Sequence, residues 1–236
     1  MSDAPLILAL PSKGRLMERA GELFGNAGMP IRKIGHKRGY RGEITGRKGV
    51  EIAFLSAAEI ARHLNLGRVH AGITGEDLIQ ESGRDGAARI ELVCPLGFGG
   101  ADVVVAVPEC WLDVSKMGDL EEVAAVFFRE HGRRLRVATK YMNLTRGFFA
   151  EKGVTGYRIV ESLGATEGTV AAGTAEIIVD ITSTGTTLKA NHLRVLDDGL
   201  ILKSQAMLAR SKTAPWSKDN QAEMEEIVLR LKAAGR

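Results

Sequence analysis

The stretch that decides the fold is "CPLGFGGADVVVAVP", residues 94–108. Gly97, Gly99 and Gly100 crowd the entry to an apolar run, Ala101 to Pro108, that has strand character. Glycine lets a backbone take conformations that side chains oppose, so such a cluster reads as a crossing between two lobes. The expected boundaries are residues 1–100 with 189–236 for lobe I and 101–188 for lobe II. An ordinary glycine-rich loop fits the same residues. A dinucleotide fingerprint does not, because its glycines follow a strand and these precede one.

Outward from this joint, short apolar runs alternate with amphipathic segments. "LILAL" (6–10), "VEIAFL" (50–55), "HAGIT" (70–74), "RLRVATK" (134–140), "YRIVES" (157–162) and "EIIVDIT" (176–182) read as strands. Helical period covers 12–28, closed by Gly28, and the segment after Ser56, which stands as N-cap with Glu59 three residues on. Residues 118–131, 143–152 and 166–173 continue the pattern, and "ILKSQAMLARS" (201–211) is strand-like. Alternation of this kind predicts an α/β fold with mostly parallel sheets and right-handed crossovers.

The chain has 236 residues, 44% hydrophobic and 26% charged, with a formal net charge of +3. That balance suits an anionic small substrate and is too mild for a dedicated nucleic-acid binder. Cys94 and Cys110 have no pairing or metal spacing, as expected of two reduced structural thiols. The apolar run before Pro11 is too short for a signal or membrane segment, so a cytoplasmic location with no membrane association is expected.

The chemistry concentrates at strand ends. In "EIIVDITSTGTTLKANHL" (176–193) a strand reaches Asp180 and then a turn of small residues. Thr182, Ser183, Thr184, Thr186 and Thr187 can donate hydrogen bonds, and Gly185 allows close approach of backbone N–H groups to an anion. A carboxylate beside a bound phosphate would repel it, so Asp180 is expected to face sugar hydroxyls or a Mg²⁺ ion on the same ligand. A phosphorylated ribose meets both demands; a Thr/Ser-rich loop that merely caps a helix meets the residue pattern alone. Lys13 and Arg15 stand at a helix N-terminus, where cations oppose the helix dipole and an anion would reconcile them. "GHKRGYRGEITGRKG" (35–49) reads either as solvated surface or as a flexible basic arm for a polyphosphate. Glu76 and Asp77 mark a third polar strand end, and Lys140, Tyr141 and Asn143 a fourth. The five histidines show no ligand spacing and no nucleophile needs activating. Anion clamps plus isolated carboxylates suit transfer between phosphorylated substrates by positioning and electrostatics.

"EGTVAAGTAEIIVDITSTGTTL" (167–188) resembles the signature of the ATP phosphoribosyltransferase family, in which the first step of histidine biosynthesis is catalysed. "LALPSKGRL", "GITGEDL", "LGFGGADVVVAVP" and "RVATKYMNLTRGFFAEKGV" resemble its other blocks in order. The resemblance implies two α/β lobes like those of type II periplasmic binding proteins, with the active site in the cleft. It implies that Asp180 and Thr182 to Thr187 bind phosphoribosyl pyrophosphate (PRPP), with Asp180 near the ribose and any metal. It implies catalytic roles for Lys13, Arg38, Arg41 and Asp180, an ATP subsite of Lys13, Arg15, Asp77 and Glu167, and Mg²⁺ as cofactor. Ser56 departs from the pattern: many relatives carry arginine there, and Arg38, Arg41 or Arg62 would inherit its task. The 25 residues after Ser211 are expected to leave no room for a regulatory domain, so the chain resembles the short form. That form implies a homodimer that joins a histidyl-tRNA-synthetase-like subunit in a hetero-oligomer. Two rivals remain at this level: a solute-binding protein, against which stands the lack of an export signal, and a sensing domain of a transcription factor, against which stands the lack of a preceding helix-turn-helix.

Overall fold

A computed structural model describes residues 4–34 and 40–235. In chain order its elements are β1 (Leu6–Pro11), α1 (Gly14–Asn26), β2 (Ile31–Ile34), β3 (Arg41–Ile44), β4 (Val50–Leu55), α2 (Ala57–Asn65), β5 (Ala71–Gly75), α3 (Glu76–Glu81), α4 (Gly83–Ala88) and β6 (Ile90–Pro95). Then come β7 (Ala101–Pro108), α5 (Met117–His131), β8 (Leu135–Thr139), α6 (Met142–Glu151), β9 (Tyr157–Glu161), α7 (Gly168–Ala171), β10 (Ile177–Thr182), α8 (Thr186–Ala190), β11 (Leu193–Ser204), β12 (Ala206–Ser211) and α9 (Lys218–Ala234). The chain divides into two compact units: unit 1 runs to Gly99 and resumes at Gln205, and unit 2 is Gly100–Ser204.

Unit 1 is built on a seven-stranded sheet in the order β2-β3-β4-β1-β5-β12-β6. Successive side chains of a strand point to opposite faces, and β1 is apolar on both. Leu8 and Leu10 pack with Phe24 of α1 and Ile227 and Leu231 of α9 on one side. Ala9 packs with Ile60 and Leu64 of α2 on the other. A sheet covered on both faces needs continuous apolar strands, which is why "LILAL" shows no alternation. Helix α2 starts as its sequence predicts: Ser56 Oγ accepts from Glu59 N–H, and the Glu59 carboxylate accepts from Ser56 N–H at 2.9 Å. Trading two orphan donors in this way is worth roughly 1 kcal/mol to the helix start.

Unit 2 carries a five-stranded sheet in the order β11-β7-β10-β8-β9. Val103, Val105, Val107, Ile177 and Val179 are fully buried, so the two apolar runs flanking the phosphate-like turn form its centre.

Four expectations change. The sheets are mixed instead of mostly parallel: β1 is parallel to β4 and β5, and β8 to β9 and β10, while the flanking ladders are antiparallel. The connection from β3 to β4 is too short for a helical crossover, and short connections enforce antiparallel pairing. The second unit boundary falls at Ser204/Gln205 and not at residue 188, because β11 pairs along β7 from Leu193↔Pro108 to Ser204↔Ala101. The strand-like run 201–211 is thus two strands in two different sheets. Finally, part of the basic stretch 35–49 is ordered sheet: β3 pairs with both β2 and β4. The helix expected over 166–173 shrinks to the single turn α7.

Candidate functional site

The parallel strands β8 and β10 end side by side in unit 2, with Val137 opposite Ile177 and Ala138 opposite Ile178. Polar groups that follow such strand ends converge on one rim. There the structure forms a cavity of about 420 Å³ whose wall includes Asp180, Thr182, Ser183, Thr184, Thr187, Glu167 and Lys140. Gly185, at φ 72°, turns the chain from β10 into α8. Its N–H donates to Thr182 Oγ1 at 2.9 Å, and the Thr184 and Thr186 hydroxyls pair at 2.8 Å. Ser183 Oγ donates to Gly100 O at 3.2 Å. Ser183, Thr184 and Thr187 remain exposed around this folded turn. Helix α8 has only five residues, so its dipole is small and the turn itself supplies the donors.

Asp180 is half-buried on the inner side of this turn. Burial pushes its carboxyl above the ordinary value, the Ile181 N–H (2.8 Å) and the Lys140 charge oppose that, and the neighbouring Glu167 carboxylate reinforces it. Glu167 sits at the start of α7, at the end of a loop with an unusual brace. Ala165 occupies the left-handed region, at φ 50°, which costs a non-glycine residue about 1–2 kcal/mol. Hydrogen bonds hold it there: Gly168 N–H donates to Ala165 O at 3.1 Å, and Thr166 Oγ1 donates to Ser162 Oγ at 3.0 Å. Backbone strain retained on a cavity wall is a mark of functional geometry. Among the described residues no group of three or more His, Cys, Asp or Glu is gathered as a metal site. Two carboxylates in one cavity nevertheless fit a Mg²⁺ ion whose other ligands are phosphate oxygens and water.

The other expected residues lie in unit 1. Lys13 is the N-cap residue of α1 without a side-chain cap bond, and both Lys13 and Arg15 are exposed in a first turn that has no acidic residue. Asp77 is only 5% exposed, in the first turn of α3. Glu167 is therefore not on the same unit as Lys13, Arg15 and Asp77; it lines the cavity with Asp180. Arg41 pairs with Glu51 at 3.2 Å on the surface of the sheet. Arg47 is clamped between Glu223 and Glu226 of α9, so this cation of the basic stretch joins sheet to helix instead of waiting for an anion. Arg38 falls outside the described residues. Ser56 caps α2, and Arg62 is exposed in the last turn of that helix.

The sequence reading noted Lys140 as one of several polar strand ends but did not join it to the Asp180 cavity. The register of β8 against β10 does so. It also passed over Glu176, which binds Arg136 and Arg133 with Oε1 at 2.6 and 3.0 Å and accepts from Arg136 N–H at 2.7 Å. No local pattern links residue 176 to 133 and 136, which lie some 40 residues away, so the clasp had no signal in the sequence.

Residues 56–233 match the family model described as ATP phosphoribosyltransferase. The chain is 59% identical over 227 residues to an ATP phosphoribosyltransferase of Bradyrhizobium sp. (strain ORS 278), covering 96% of this chain and 70% of that one. It is 58% identical over 232 residues to one of Rhodopseudomonas palustris (strain BisB18), covering 98% and 71%. Among solved structures, the ATP phosphoribosyl transferase (HisG:HisZ) complex from Thermotoga maritima is similar with a TM-score of 0.72 at 22% identity, over 98% of both chains. The substrate-binding protein of an amino acid ABC transporter is similar with a TM-score of 0.54 at 13% identity, over 98% of this chain and 94% of that one. At those identities the likeness is one of fold, the type II periplasmic-binding-protein fold.

Proposed function

From the premise that the chain belongs to the ATP phosphoribosyltransferase family, the enzymes of the first step of histidine biosynthesis, we propose that it transfers the phosphoribosyl group of PRPP to N1 of the adenine of ATP. The products are N1-(5-phosphoribosyl)-ATP and pyrophosphate. The observation that carries this reading is the turn 182–187 opening, together with Asp180, into one cavity. Hydroxyl and N–H donors suit a 5′-phosphate, and a carboxylate behind them suits the ribose.

In the reaction the adenine N1 lone pair forms a bond to ribose C1′. The bond from C1′ to the pyrophosphate oxygen breaks, and its electron pair leaves with pyrophosphate. Positive charge grows on the ribose ring as that bond lengthens, and a fixed anion nearby lowers the barrier. Asp180 takes that role, its partial burial strengthening the field it exerts. The turn holds the far end of the substrate, so C1′ meets the incoming base in line. Asp180 would hold a Mg²⁺ ion, which would supply positive charge to neutralise the leaving group. Lys13, Arg15, Arg41 and Asp77 of unit 1 are the proposed contacts for ATP and for pyrophosphate, and Glu167 belongs to the cavity with Asp180.

Assembly is part of the same reading. The similar structure from Thermotoga maritima is a HisG:HisZ complex, which supports a hetero-oligomer of this chain with a HisZ-like subunit; a homodimer in the absence of that subunit is part of the same proposal. Among the described residues no helix is long and apolar enough to cross a membrane, and we place the enzyme in the cytoplasm with its substrates. The test is to mix the purified chain with ATP, PRPP and Mg²⁺ and follow both the ultraviolet absorbance of N1-substituted adenine and PRPP-dependent pyrophosphate release. A folded protein that forms neither product, alone or with a HisZ-like subunit, would refute the reading.

A further inference from the structure

The cavity around Asp180 contains an electrostatic imbalance. The side assigned to the phosphate consists of neutral groups, those of Thr182, Ser183, Thr184 and Thr187. Its ionisable wall consists of Asp180, Glu167 and Lys140, two carboxylates against one cation. A phosphate dianion entering such a wall meets net repulsion unless the cation is directed at it.

Lys140 is built for that direction. It follows β8 two residues past the last ladder pair, Ala138↔Ile178, and Asp180 stands two residues past the same pair on β10, and both line the one cavity. The turn that carries it is fixed by two bonds: Tyr141 N–H donates to Thr139 Oγ1 at 2.8 Å, and Ser162 N–H donates to Thr139 O at 3.0 Å. Its Nζ lies 4.9 Å from the centroid of the Tyr141 ring, which is fully buried. An aromatic face attracts an ammonium without discharging it, so it orients the cation and leaves its three N–H donors available. None of the ion pairs among the described residues includes Lys140, although its charge acts on the nearby Asp180 carboxylate. Most surface lysines wave in water, whereas this one is half-buried in a cavity wall.

We propose that Lys140 supplies the positive charge of the phosphate cradle, contacting the 5′-phosphate of the phosphoribosyl substrate while it screens that phosphate from Asp180 and Glu167. The proposal rests on the PRPP reading of this cavity and assigns to it a residue beyond the hydroxyl-rich turn. Lys140 is in this sense a substrate-binding residue.

The experiment uses ribose 5-phosphate as probe, which carries the 5′-phosphate and no pyrophosphate. Lys140→Met and Lys140→Arg are made in the full chain. Titration with ribose 5-phosphate should weaken by about 10- to 100-fold in the Met variant, the range for losing a hydrogen bond to a charged group. The KM for PRPP should rise in parallel while that for ATP stays constant, and the Arg variant should recover most of the loss. Ribose 5-phosphate binding within twofold of wild type in Lys140→Met would overturn the assignment. So would weakened inhibition by pyrophosphate with unchanged ribose 5-phosphate binding, which places the lysine on the leaving group. Equal loss of ATP binding and thermal stability would assign Lys140 to the fold through Tyr141, again overturning it. If the wild-type chain forms no N1-substituted adenine, alone or with a HisZ-like subunit, the transferase reading fails while the ribose 5-phosphate titration still decides the role of Lys140.

Discussion

Replacing Glu176 by glutamine tests how the strand that carries Asp180 is anchored. Burial alone would raise the Glu176 carboxyl, but the guanidiniums of Arg136 and Arg133 and the Arg136 N–H outweigh it and hold the group down, from 4.5 to about 2. Arg136 also donates to Gly173 O at 2.8 Å, so the clasp ties β8 to the segment entering β10. The sign follows from linkage. A carboxyl depressed in the folded state contributes stability that is complete above its unfolded value and disappears as pH falls through the folded one. The full depression corresponds to at most about 3.4 kcal/mol at 1.36 kcal/mol per tenfold change in proton affinity. Glu176 and Arg136 side chains are 12% and 18% exposed but Arg133 is 42% exposed, so water screens part of the interaction. Allowing for that screening leaves about 1–2 kcal/mol. We therefore expect Glu176→Gln to lower the urea stability of the chain by about 1–2 kcal/mol near neutral pH, with the gap to wild type narrowing once pH drops below about 4.5. Urea titrations followed by circular dichroism at several pH values measure it. A gap that is absent at neutral pH, or that stays constant down to pH of about 3, would show that ionised Glu176 is not what holds the strand.

Gly185→Ala meets no atom within 4 Å but must sit at φ 72°, a strain of about 1–2 kcal/mol that deforms the turn; we expect a raised KM for PRPP, less so for Gly185→Asn, and an unchanged KM in the alanine variant would contradict the role of the turn. Thr187→Ala should weaken PRPP binding by about 1–3 kcal/mol, the usual loss for a hydrogen bond to a charged group, and Asp180→Asn should impair PRPP use more than ATP binding; isothermal titration that finds PRPP affinity unaltered in both places the cradle elsewhere. His70 is buried, its Nδ1 accepting from Ile7 N–H at 3.0 Å and its Nε2 lying 3.2 Å from Pro215 O, and burial pushes its pKa below 6.5. That stability is complete above the unfolded value and lost as pH falls, so the wild-type melting temperature should drop from about pH 7 to about pH 5 and drop less in His70→Asn; equal drops would refute it.

Much of this molecule was legible along the chain because the signals are local. Leu6 to Leu10 and Val50 to Leu55 form strands since continuous apolar runs have to be covered on both faces, and Ser56 with Glu59 starts a helix by chemistry confined to four residues. The turn after Asp180 was readable for the same reason: its small hydroxyl residues and Gly185 state a backbone conformation directly. Partnership across the chain was not readable in this way. Whether Arg47 serves an anion or Glu223 and Glu226, some 176 residues away, depends on α9 returning to the sheet, and no local pattern encodes that return. The crossing at Ser204/Gln205 was hidden because β11 and β12 form one unbroken strand-like run, and only pairing with β7 or with β5 tells the two apart. The family signature named the residues of one turn, whereas the register of β8 against β10 brought Lys140 to the wall of the same cavity as Asp180. Sequence alone determined which backbone shapes each segment prefers; tertiary structure decided which charges meet, because a charge has no partner until distant segments are packed together.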